Sequence, residues 1–70
     1  MKRNTGEKIQ NKALVAITEL TSMLATLEND NASKADIESF KKPIGIIIGK
    51  IQMDIFEKIY VEHPDLDDLK

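Results

Sequence analysis

PIGIIIGKIQMDIFEKIY, residues 43–60, is the stretch that decides how this chain folds. Written as a helix, it has one stripe of Ile44, Ile48, Ile51, Ile55 and Ile59. A second stripe, Ile46, Met53, Phe56 and Tyr60, lies roughly opposite, with Gly45 and Gly49 along its edge. Lys50, Asp54, Glu57 and Val61 form a narrow, mostly polar ridge between the two. A helix that is apolar over most of its circumference must be buried over most of its circumference. One partner helix of the same chain does not supply that cover, so the pattern predicts a second chain.

Length points the same way. The chain has 70 residues and reads as one small all-α domain, 1–70, with flexible ends at 1–5 and 64–70. Below about 70–80 residues a single core rarely supplies more than ~3–5 kcal/mol without disulfides, metal or oligomerisation. There is no cysteine and one histidine, which excludes a disulfide and a thiolate metal site and argues against structural zinc. Self-association is the staple that remains.

Outward from the Ile-rich stretch, the rest of the chain reads as helix with clear punctuation. Ile9, Ala13, Ala16, Ile17, Leu20, Met23, Leu24 and Leu27 fall on one helical stripe, predicting a helix from Gly6 to Glu28. Seven-residue spacings recur within it (Ala13, Leu20, Leu27), as in coiled-coil packing. Leu14 and Val15 lie off the stripe and mark a second contact. Asn29-Asp30-Asn31 are turn formers, and Ser33 with Asp36 three residues later has the shape of a capping box. So short a loop makes the second helix an antiparallel neighbour of the first. Pro43 removes a backbone donor, so the second helix is expected to break into Lys34–Lys41 and Pro43–Glu62. His63-Pro64 stops it, leaving an acidic tail with Leu66 and Leu69 loosely docked.

Charge is nearly balanced at −2 but unevenly laid out. Lys2, Arg3, Lys8 and Lys12 open the chain, while Asp54, Glu57, Glu62, Asp65, Asp67 and Asp68 crowd its end. In a hairpin these lie side by side, within one chain or across a dimer. No secretory signal follows Met1, because polar residues occupy positions 4–12. The Ile-rich stretch is interrupted by Lys50, Asp54, Glu57 and Lys58, which excludes a membrane span and makes cytoplasmic the default. Asn31-Ala32-Ser33 matches a glycosylation sequon but reads as a loop followed by a cap.

Little in the chain resembles chemistry. Gly45 and Gly49 with Lys50 lack the spacing and the Ser or Thr of a phosphate-binding loop, and serve better as a flat patch for close helix approach. Each costs about 1 kcal/mol against alanine inside a helix, which close packing would offset. His63 with Asp65, Asp67 and Asp68 reads as a helix end and a solvated tail, not a metal site, and EF-hand spacing is absent. Ser22, Ser33 and Ser39 read as surface or cap residues, and no nucleophile–base pair is present. Gln52, between the apolar stripes, is the one polar residue placed for a site between subunits.

The sequence therefore predicts an antiparallel helical hairpin with a Pro-kinked second helix, assembling into a homodimeric bundle. Its shared core would be Ile17, Leu20, Leu24, Leu27, Ile44, Ile48, Ile51, Ile55, Phe56 and Ile59. The self-association surface would comprise Ile44, Gly45, Ile48, Gly49, Ile51, Met53, Ile55, Phe56, Ile59 and Tyr60. The expected function is non-enzymatic: a self-associating module that presents a surface to a protein partner, with no cofactor and no metal. The alternative is a small dimeric regulator that binds nucleic acid through its basic N-termini or the Lys34/Lys41/Lys42 edge.

Overall fold

The computed structural model describes residues 1–67. Its first helix, α1, spans Arg3–Asn29. It begins a turn earlier than the apolar stripe does, since an N-terminal turn needs backbone bonds rather than core contacts. Gly6 N–H donates to the Lys2 carbonyl at 3.0 Å, and Arg3 pairs with Glu7 one turn on at 3.2 Å.

The exit from α1 is built by Asn31, whose φ of 59° is left-handed. Asn31 N–H donates to Glu28 O at 3.1 Å and Ala32 N–H to Leu27 O at 2.9 Å. These two bonds satisfy carbonyls that the helix end would otherwise leave open, in the Schellman arrangement. Ser33 then caps α2, Lys34–Lys50, by accepting from Asp36 N–H at 3.0 Å. The Asp36 carboxylate does not return the bond, its side chain being a methylene shorter than the glutamate of a full capping box.

The expected break in the second helix is corrected here. The chain does not break at residues 39–43, because α2 continues through Pro43. Pro43 and Ser39, whose carbonyl loses its helical partner, are both exposed, so the lost bond falls on the solvent side and not in the core. The departure from α geometry comes instead at Ile51–Phe56, a π-helical turn, after which α3 runs Glu57–Glu62. Backbone angles at Lys50, Ile51, Phe56 and Glu57 are all helical, so α2, the π turn and α3 form one rod.

The π turn changes which residues face inward. A π turn accommodates one more residue than an α turn, so everything beyond it rotates against what lies before. The single stripe through Ile55 is therefore corrected as well. Ile44 is buried and Ile48 and Ile51 half-buried, but the next inward residue is Phe56, five positions on, and Ile55 is 39% exposed. The supposed second stripe divides: Phe56 and Tyr60 turn inward, while Ile46 and Met53 remain exposed. Continued as α-helix, the Ile44/Ile48/Ile51/Ile55 stripe would run into Glu62 and carry a carboxylate into the contact with α1. The extra residue keeps Glu62 and Lys58 outside and seats Phe56 against Tyr60, ring centroids 5.9 Å apart.

His63, with φ −137° and ψ 76°, ends α3, and Pro64–Leu66 forms a single 3-10 turn. Leu66 is buried at 5% exposure, not loosely docked as the acidic tail suggested. Leu69, Asp68 and Lys70 lie outside the described residues. The core cluster is Ala13, Phe56, Ile59 and Leu66, flanked by half-buried Ile17, Ile51 and Tyr60. Of residues 14–43, none is buried: Ile17, Leu20, Leu24, Leu27 and Ile37 are covered only in part. The particle measures 45 × 20 × 17 Å, with a radius of gyration of 14.9 Å. A compact chain of this length would have about 11 Å.

Candidate functional site

The residues expected to form a self-association surface fall into three groups. Ile44, Phe56 and Ile59 are buried within this chain and have no surface to offer. Ile48, Gly49, Ile51 and Tyr60 are half-buried. Gly45, Met53 and Ile55 are exposed. The apolar surface that remains open extends beyond these positions, to Phe40, Ile46 and Ile47 of α2 and to Ile9, Leu14, Val15 and Met23 of α1.

The glycines exchange roles relative to expectation. A methyl group at Gly45 or Gly49 would meet nothing within 4 Å, so neither glycine is required by packing inside the chain. Gly6 is the glycine at a close contact. A Cβ there would lie 3.4 Å from the His63 ring, 3.4 Å from Leu66 and 3.5 Å from Ile59. The first turn of α1 thus rests against the end of α3 and the turn that follows.

This junction carries the long-range polar bonds. Gln10 Nε2 donates to Tyr60 Oη and to the Leu66 carbonyl, both at 2.9 Å. Arg3 Nε pairs with Asp65 at 2.5 Å, and the Met1 amine with Glu62 at 2.6 Å. A ring nitrogen of His63 lies 2.9 Å from the Met1 carbonyl. The basic start and acidic finish of the chain meet within one molecule. The Arg3 hydrogen bond holds the Asp65 carboxyl below its ordinary range, and the Met1 amine does the same for Glu62. Arg3 is correspondingly pushed up by its bond to Asp65. Sequence reasoning passed over Gln10, although a signal was present. It is a polar residue in phase with Gly6, Ala13 and Ile17 on the inward face of α1.

The other candidates take ordinary structural roles. Ser22 and Ser39 donate to carbonyls of their own helices at 2.7 Å, as Thr18, Thr21 and Thr26 do at 3.0 Å. Gln52, expected to lie between apolar surfaces, is exposed. Lys34, Lys41 and Lys42 are exposed, with Lys41 bonded to Glu38 at 3.3 Å. Among the described residues no three His, Asp or Glu side chains are grouped to hold a metal ion, and no helix is long and apolar enough to cross a membrane. No protein-family model matches the chain, and neither the curated proteins nor the solved structures contain a significant match to it.

Proposed function

We propose that this chain is a non-enzymatic, self-associating module: an antiparallel hairpin that pairs with a second copy and presents the outside of the resulting bundle to a protein partner. One observation carries the reading. The chain exposes 5321 Å², whereas a compact monomer of 7.9 kDa exposes about 4,400 Å². The surplus is roughly 900 Å², close to the ~800 Å² that each partner contributes to a standard stable interface. The large apolar residues that stay exposed, from Ile9, Leu14, Val15 and Met23 of α1 to Phe40, Ile46 and Ile47 of α2 and Met53 and Ile55 of the π turn, supply the surface for such an interface.

The polar chemistry agrees with a structural role. The hydroxyls of Thr18, Thr21, Ser22, Thr26 and Ser39 are engaged by their own helices, and His63 and Gln10 hold the junction of the chain ends. Molar mass by light scattering across a dilution series tests the reading. A mass of twice 7.9 kDa that gives way to the monomer only at high dilution is expected. A folded monomer at every concentration would sink it.

A further inference from the structure

The hairpin has two long edges, and they differ in character. Ile9, Ala16 and Met23 recur every seven residues along one edge of α1, and Phe40 and Ile47 recur every seven along α2. Ile9 and Ile55 line one shallow depression, together with Met1, Asp54 and Glu62. Sharing that depression puts Ile9 and Ile55 on the same edge of the hairpin. Across the π turn, whose extra residue sets Ile55 to the side of the inward-facing Ile51, this edge continues to Ile47 and, seven residues earlier, Phe40. On the opposite edge, helical phase places Leu14, Thr21 and Glu28 of α1 on the side of Lys34 and Lys41 of α2 and Gln52 of the π turn, all exposed, so that edge is mostly polar with Leu14 as its one large apolar residue.

We infer that a second copy of this chain docks on the edge formed by Ile9, Ala16, Met23, Phe40, Ile47 and Ile55, and not on the edge that carries Gly45 and Gly49. The inference rests on the self-association proposed above and specifies where it occurs. The large residues of this edge are each between 39% and 50% exposed, with Phe40 at 49%, Met23 at 50% and Ile47 at 46%. Each is therefore partly covered within the chain and partly open to a partner. A two-fold pair uses the same patch on both copies, so one apolar edge serves both partners. Seven-residue spacing on both helices keeps the seam straight over the length of a left-handed bundle. The π turn contributes directly. By moving Phe56 into the core it turns Ile55 outward, extending the edge to the end where the chain termini meet. Docking there also covers the flanks of Leu20 and Leu27, half-buried in the single chain.

The chain has no cysteine, so single thiols report their own surroundings. Five variants, Met23→Cys, Ile47→Cys, Gln52→Cys, Val15→Cys and Val61→Cys, are alkylated with a maleimide above and below the dissociation midpoint measured by light scattering, with helicity checked by circular dichroism. In the dimer, the Met23→Cys and Ile47→Cys thiols should react about tenfold more slowly, the factor expected when roughly a tenth of the chain is monomeric. Gln52→Cys, Val15→Cys and Val61→Cys should react equally fast at both concentrations. Slowing confined to Gln52→Cys, or equal rates at all five sites, would overturn the assignment while leaving self-association intact. A wild-type chain that is monomeric throughout removes both. Ile9→Cys stands in for either edge variant that loses its helicity.

Discussion

The two ends of this molecule are built from the same helices and packed very differently. Where the chain termini meet, Gly6, Ala13, Phe56, Ile59 and Leu66 form a small closed core, tied by Gln10 to Tyr60 and to the Leu66 carbonyl. Toward the turn, Leu20, Leu24, Leu27 and Ile37 are only half covered, and no long-range side-chain bond joins the helices among the described residues. The difference lies in the number of layers. At the closed end a third element, the 3-10 turn carrying Leu66, covers the groove between two rods. At the turn end there are two rods alone, and two helices in contact always leave a flank open.

Phe56→Ala should give the largest effect, about 3–5 kcal/mol, which is as much as a core of this size supplies and therefore unfolds the chain. In the monomer, below the dissociation midpoint, Ile55→Ala should cost far less, because its side chain is partly in water. Circular dichroism melts of the two at a concentration where the chain is monomeric decide the register, and a greater loss at Ile55 would mean that the π turn is absent. Removing Met53, exposed within that turn, should return the segment to α geometry and leave the core contacts in place. Removing Val15, exposed within α1, should unfold the chain by rotating one half of that helix against the other.

Leu24→Ala probes the open end. Its cost in the monomer should be roughly half of the 2–5 kcal/mol paid by a fully buried leucine. With a second copy covering that end, the loss in melting temperature should grow with protein concentration. A shift independent of concentration would show that the open end stays open.

Gly45→Ala and Gly49→Ala should each stabilise the chain by up to about 1 kcal/mol, since the added methyl meets nothing and the helix gains propensity. A lower melting temperature together with a lower molar mass would instead place the partner on the glycine edge. The smallest effect concerns the ion pairs of the closed end. Asp65 and Glu62 are held below their ordinary values of 3.8 and 4.5, so their contribution is present above those values and lost as pH falls through the lowered ones. Melting temperature should therefore drop on acidification below about pH 4, and Asp65→Asn should flatten part of that slope. Because both pairs are exposed, raised salt should reproduce the loss at neutral pH.

Much of this was legible in the chain. Two long helices, the Asn31 exit, the Ser33 cap and the stop at His63 follow from side chains acting on backbone within about one turn. The meeting of basic start and acidic finish was legible in outline. The candidate surface was legible only as a surplus of apolar residues: its members could not be chosen, because Ile44, Phe56 and Ile59 are consumed inside the chain while Ile9, Met23 and Phe40 are left outside.

What the sequence determines by itself is therefore what short range controls: helix, turn, cap, and the excess of apolar side chains over what two helices can cover. Only the tertiary structure decides which of those side chains are spent on the core. That choice is made at Ile51–Phe56, where one extra residue in a turn exchanges Ile55 for Phe56 and keeps Glu62 in water. It depends on where α1 and the Leu66 turn lie, and no window of neighbouring residues contains that information.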